Sequence, residues 1–343
     1  MDEVFHGRLQ ELSDLDLAVL VSLASGQHCI CSSPSHLGRD LRNELALTCR
    51  ETFGLQTAVI NCSRKTTVDE FSEAILVDTI ETFEDAEEDH INTNQLAGQR
   101  TSQNIRPSAS PRKLSRFSNA LDDQRIADVV IATHLDLASE SVQVQTLELL
   151  RTKRIFTRTA MHSAPRDFLL IVIASKRGAR LTHHLNDMFG MSHFHAAEDG
   201  LPHLENREDS YSLPSFSRSE LKGLQARTAN VRLTGEVDAY LHNIVIFLRQ
   251  SRYVNGGVTA AATRHLRAVA KALAPLHGLD YVPPSLVTLA ARKVYPHRLI
   301  LATAETERTL RWGSDPGAIR EMLKGVTVED VIEEVIASVD TPL

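Results

Sequence analysis

The chain has 343 residues, 42% hydrophobic and 24% charged, an ordinary globular composition with length enough for two domains. Its formal net charge of −7 excludes a global attraction to nucleic acid or to an anionic membrane. No apolar run approaches the ~20 residues of a membrane-spanning helix, and the acidic, amphipathic MDEVFHGRLQELSD is unlike a signal or transit peptide.

Leu9, Leu12, Leu15, Val19 and Leu20 predict an opening helix that runs to Ser25-Gly26. Gly26 to Leu41, GQHCICSSPSHLGRDL, then has the outline of a phosphate-binding strand–loop–helix. Cys29-Ile30-Cys31 reads as a short strand and Ser32 to Gly38 as a loop of turn-prone residues, with Leu41, Leu45 and Leu47 on a helix to about Thr52. Phosphate binding by such a loop needs glycines that let backbone N–H groups close on the phosphates. It also needs a Lys that reaches them and a hydroxyl that holds Mg²⁺. With Gly26 as the first glycine, Ser35 falls at the second, Gly38 at the Lys and Arg39 at the hydroxyl residue, so the binding groups are missing.

Thr57 to Asn61 is a second strand, and Phe71, Ile75 and Leu76 predict a helix over Thr67 to Thr82. Residues 84–121 open with EDAEED and continue rich in Ser, Asn, Gln and Arg, a composition that reads as a disordered insertion. Ser108, Ser110 and Ser115 lie beside Arg106, Arg112, Lys113 and Arg116, the makings of a phosphorylation or docking site within a solvated linker.

Asp128 to Thr133 and Phe168 to Ala174 are almost wholly apolar, as central parallel strands are. A helix over 139–153 separates them; a short helix from Leu181 to Phe189 and a final strand from Met191 to His195 follow. Residues 198–234 read as an irregular connection. Beyond it, Val237, Tyr240, Leu241, Ile244, Val245 and Leu248 make a helical stripe. Leu266 to Leu273 forms a second helix, Pro283-Pro284 opens a third, and Thr327 with Asp330 caps a last one.

The four cysteines, Cys29, Cys31, Cys49 and Cys62, read as reduced thiols of an intracellular, cytoplasmic protein, and the Ser/Arg cluster of 84–121 leaves nuclear entry open. His193-x-His195 shares one strand face and His183-His184 is near in sequence, but no carboxylate or Cys stands beside them to complete a metal shell, so no metal site is assigned. Lys176-Arg177 and Arg180 form a basic turn at a strand end, where α/β folds place ligands. No G-x-S-x-G elbow surrounds Ser163 or Ser175, which argues against a hydrolase.

This succession resembles the AAA+ ATPases, and within them the MoxR and magnesium-chelatase ATPase-subunit branch. The similarity is best in the lid, from YLHNIVIFLRQSR (240–252) through Gly257 to LRAVAKALAPLHGLDYVPPSLVTLAARKVYPHRL, ending at Leu299. QVQTLELLRTKRI (143–155) and LNDMFGMSHF (185–194) resemble two core segments of that branch. The resemblance covers about 25–82, 126–197 and 235–301. It implies an AAA+-like α/β fold, a parallel five-stranded αβα sandwich followed by a small all-helical lid. The implied division is 1–83 and 122–197 for the two halves of the core, 84–121 for the insertion, 198–234 for the connection and 235–343 for the lid.

The resemblance also marks the chemical positions, and the chain departs from nearly all of them. The acidic pair that ends the third strand is replaced by Thr133-His134, with Asp136 the nearest carboxylate. The polar sensor falls in Ser175-Lys176-Arg177, the Arg of "LDRF" is Met188, and the lid arginine falls on Ala261. A one- or two-residue shift brings Arg39 or Arg264 toward a phosphate but supplies neither a Lys nor an acidic pair. The resemblance with these losses implies a non-catalytic adaptor or silent subunit that binds a protein partner or like subunits, without a resident cofactor. The second reading is a divergent ATPase that binds ATP and Mg²⁺ through Arg39 and Asp136.

Overall fold

A computed structural model describes residues 3–78, 124–158, 160–205 and 216–342. The strands among them are β1 His28–Ser32, β2 Thr57–Asn61, β3 Leu76–Asp78, β4 Gln124–Ile126, β5 Val129–Thr133, β6 Arg154–Phe156, β7 Met161–Ser163, β8 Leu169–Ile173, β9 Phe189–Phe194, β10 Val254–Gly256 and β11 Ile300–Leu301. The α-helices are α1 Glu3–Gln10, α2 Asp14–Ser25, α3 Gly38–Leu47, α4 Val68–Ala74, α5 Glu140–Thr152, α6 His183–Asn186 and α7 Pro202–Glu205, then α8 Arg218–Asn230, α9 Gly235–Gln250, α10 Ala260–Leu276, α11 Pro284–Val294, α12 Pro316–Leu323 and α13 Val328–Ser338.

The expected sheet forms: five parallel strands in the order β2-β5-β8-β1-β9. Side chains alternate across it, so parity decides the face. Val129, Ile131, Leu169 and Ile171 face α2, α3 and the C-terminal helices. Val130, Ala132, Leu170 and Val172 face α4 and α5 through Phe71, Ile75, Val142 and Leu149. Both faces are covered, which is why β5 and β8 are buried along their whole length and apolar at nearly every position. The lid interior, with Tyr240, Leu241, Leu266 and Val287, is continuous with the first face, and α10 and α11 pack on β9.

Several boundaries differ from expectation. The opening helix is two, because Ser13 caps α2 through a reciprocal box with Asp16 and ends the first segment. The helix predicted over Thr67 to Thr82 stops at Ala74; Leu76–Asp78 instead pairs antiparallel with Gln124–Ile126. The rest of that prediction, from Thr79, and the insertion at 84–121 lie outside the described residues. The connection assigned to 198–234 contains α7 and the 13-residue α8, started by a Ser217–Glu220 capping box and packed on α2 and α10 through Leu221 and Leu224.

α7 is held by buried charge. The Glu44 carboxylate, on α3, accepts the backbone N–H groups of His203 and Leu204, each at 2.9 Å. His203 Nε2 lies 3.1 Å from Asp16 Oδ1, and its Nδ1 is 3.9 Å from Glu51 Oε2. Burial opposes the imidazolium, but the hydrogen bond and charge of Asp16, with Glu44 and Glu51 behind, win and raise the His203 pKa above its ordinary value. A raised pKa means that the folded state holds the proton more tightly than the unfolded chain. The stabilisation is therefore full below pH ~6.5 and is lost as pH climbs through the folded value. Urea midpoints of the native protein should fall between pH 6 and pH 9, and His203→Gln should remove that part of the fall; an unchanged slope in the variant refutes the assignment.

Candidate functional site

The region to examine is the carboxyl ends of the parallel strands, where open α/β sheets bind ligands. The loop between β1 and α3 runs from Ser33 to Leu37, and Gly38 is the first helical residue. Gly26 is not part of it. It caps the C-terminus of α2 at φ 63°, ahead of β1, where its left-handed backbone closes the helix. The stretch from Gly26 thus spans a helix end, a strand and a loop, and a loop glycine at Gly26 is corrected to a helix cap. Ser35 and Arg39 are exposed, and Leu37 at the head of α3 offers no side-chain cap. The described loop carries no lysine to set against phosphate.

The end of β5 is occupied by a hydrogen-bonded group without a carboxylate. Thr133 Oγ1 donates to Asn61 Oδ1 at 2.7 Å, and His134 Nδ1 lies 3.2 Å from the same oxygen. His134 takes a left-handed φ of 56°, which turns the chain into a short 3₁₀ segment, Leu135–Leu137. That turn directs Asp136 at the end of β8. Its Oδ1 accepts the Ser175 backbone N–H at 3.0 Å and its Oδ2 accepts the Ser175 hydroxyl. Both oxygens are thereby used to tie two strand ends together.

Beside these lies a cleft of about 340 Å³ between the sheet end and the lid, lined among others by Ser32, Arg177, His193, Lys293, His297 and Glu329. Gly38, Arg39 and Asp136 do not line it. Arg177 stacks over Phe194, 4.5 Å from the ring centroid, and pairs with Glu329 of α13 at 2.6 Å. Lys176 is exposed beside it. Arg292 is held by both oxygens of Glu333, at 2.6 and 2.8 Å. The basic groups near the cleft are thus largely paired within the chain.

A seam of buried hydrogen bonds joins the lid to the core, and sequence reasoning missed its members. Arg298, 2% exposed, pairs with Asp187 Oδ1, donates to the carbonyls of Asp187 (3.0 Å) and Phe189 (2.5 Å), and reaches His265 Nδ1 at 2.6 Å. Burial and the Arg298 charge push His265 down to about 4, so its Nδ1 is a neutral acceptor. Thr259 Oγ1 donates to Asp187 at 2.6 Å, and Asn186 Nδ2 to the His297 carbonyl at 3.1 Å. Met188 packs against the sheet's far-face core and Ala261 is the second residue of α10, so neither presents a charge. His183 and His184 make only an edge contact with each other.

The resemblance implies Mg²⁺–nucleotide, and these residues do not fit it. They present no acidic pair and no loop lysine at the described sheet end.

Residues 246–316 match the AAA lid domain. The chain is 28% identical over 130 residues to Uncharacterized protein YeaC of Bacillus subtilis (strain 168), a match covering 38% of this chain and 36% of that relative's length. Among solved structures it is similar to a candidate ATPase from Cytophaga hutchinsonii ATCC 33406, at TM-score 0.64 and 15% identity over 95% of this chain and 89% of that one. Likeness to a full-length MCM homolog from Methanopyrus kandleri reaches TM-score 0.46 at 15% identity, over 84% and 56% of the two chains. The chain has an AAA+-like α/β fold with an AAA lid, and no helix among its described residues is long and apolar enough to cross a membrane.

Proposed function

We propose that this chain is an AAA+-type protein of the MoxR and magnesium-chelatase branch that has lost phosphoryl transfer and works as an adaptor or silent subunit. The observation that carries the reading is Asp136. It is the carboxylate nearest in sequence to the end of β5, and both its oxygens are bound to Ser175. The Asn61–Thr133–His134 group supports the reading, because it fills the end of β5 with an amide, a hydroxyl and an imidazole where a Mg²⁺ site needs carboxylates. Phosphoryl transfer is almost entirely positioning and charge stabilisation. Losing one preorganised donor costs about 10²–10³ in rate, and this chain lacks several together. The partner is a protein or a second AAA+-like subunit, engaged at the sheet end, the lid or the 84–121 segment.

The test is thermal unfolding with and without millimolar MgATP, with ADP as a second ligand, followed by a phosphate-release assay. A ligand held only by the native state at 100 times its Kd adds about 2.7 kcal/mol. The expected result is no shift and no Mg²⁺-dependent release. Hydrolysis that Asp136→Asn or Arg39→Ala abolishes would overturn the reading and establish a divergent ATPase.

A further inference from the structure

The His193-x-His195 pair lacks a third ligand in the local sequence, and the fold supplies one. Asp14, the first residue of α2, lies 179 positions from His193 and meets both histidines. Its Oδ2 is 2.8 Å from His193 Nε2 and its Oδ1 is 3.5 Å from His195 Nδ1. The three ligand atoms all lie within 4.8 Å of one another, the one such His/Cys/Asp/Glu group among the described residues. The imidazoles are built in, with side chains 5% and 1% exposed, while Asp14, at 36%, leaves a path to solvent. His195 Nδ1 is buried without a hydrogen-bond partner and points into the group.

From this juxtaposition we propose that Asp14, His193 and His195 bind a divalent transition-metal cation, Zn²⁺ by preference, clasping the start of α2 to the end of β9. Two imidazole nitrogens and one carboxylate form a donor set for such an ion and a poor one for Mg²⁺ or Ca²⁺, which take oxygen. Ligands ~2.0–2.2 Å from a tetrahedral Zn²⁺ stand ~3.3–3.6 Å apart, so the Oδ2–His193 contact opens slightly while the spacing of the other oxygen, Oδ1, from His195 already fits. Asp199, whose Oδ2 is 3.9 Å from His195 Nδ1, or a water completes the shell. His193 Nδ1 faces Lys293 Nζ at 3.3 Å. Metal at Nε2 requires the ring proton on Nδ1, so Lys293 turns into the cleft that it already lines. The site does not depend on the nucleotide reading.

The experiment is Zn²⁺ titration by calorimetry on the full chain, with Co²⁺ absorption as a second probe of coordination. About one equivalent should bind at micromolar or better affinity, and Co²⁺ should give tetrahedral d–d bands. Asp14→Asn, at a half-exposed position, should weaken binding ~100-fold or more without unfolding the protein. Lys293→Met should strengthen it, an effect that scattered surface histidines cannot produce. Absence of binding below ~100 μM, or equal affinity in Asp14→Asn, overturns the proposal. Unfolding of His195→Ala changes neither conclusion, because the other two variants decide.

Discussion

Arg298→Ala is expected to destabilise the folded protein by on the order of 3 kcal/mol, read as a lowered urea midpoint at unchanged slope. The guanidinium is buried and makes four contacts at once: to Asp187, to two backbone carbonyls and to His265. Truncation takes the donor from the Asp187 carbonyl and the countercharge from the Asp187 carboxylate, while the Phe189 carbonyl keeps His297 Nε2 at 3.0 Å; each full loss costs about 1–3 kcal/mol. Asp187 is 26% exposed and recovers part of its hydration, which holds the sum near the lower end of the range for a broken buried pair. Arg298→Lys should restore less than half, because an ammonium cannot reproduce the planar fork that reaches both carbonyls and the carboxylate. A loss under ~1 kcal/mol in Arg298→Ala would mean that the seam carries little of the stability.

The second large effect is Gly257→Ala. Gly257 has φ +98°, a region that L side chains rarely adopt, and a Cβ there would stand 2.0 Å from the Arg298 carbonyl oxygen. The clash is with backbone rather than with the end of a side chain, so it is relieved only by moving β10 away from β11, whose pairing begins at Gly256–Ile300. Strain of about 1–3 kcal/mol from the backbone adds to the displacement of the strands, and together the loss should match or exceed that of Arg298→Ala. Gly257 stands against the backbone of Arg298, whose side chain anchors that residue to Asp187 and Phe189, so the two positions are neighbours and the double variant should cost less than the sum of the two. Additive losses would show that the positions act separately.

How much of this was legible in the sequence depended on range. The five sheet strands were readable because burial on two faces demands apolar residues at nearly every position, and β5 and β8 met that demand. The stripe of α9 and the Thr327–Asp330 cap were readable because their partners are a few residues apart. α8 was not read, since Leu221 and Leu224 are a short apolar stretch on an otherwise polar helix, although its Ser217–Glu220 box was there to be found. Gly26 reads both as the end of the opening helix and, by alignment, as the first glycine of a phosphate loop; its left-handed cap geometry decides for the helix end. The absence of loop Lys and acidic pair was visible residue by residue. What fills their place was not, because Asn61 reaches Thr133 across 72 positions and Asp136 reaches Ser175 across 39. The segments LNDMFG and PHRL were each noted for resemblance, and only the fold shows that Asp187 of one holds Arg298 of the other.

The pairing of Leu76–Asp78 with Gln124–Ile126 fixes what the chain between them is to the rest of the molecule. Asp78 sits opposite Gln124, so residues 79–123 leave and return at adjacent points, and Ile126 and the buried Ala127 carry the chain straight into β5. The entry into β5 is therefore fixed by these two short strands, whose ends meet at Asp78 and Gln124. Replacing 79–123 by a two-residue hairpin turn should therefore leave the register of β5 against β2 and β8 unchanged.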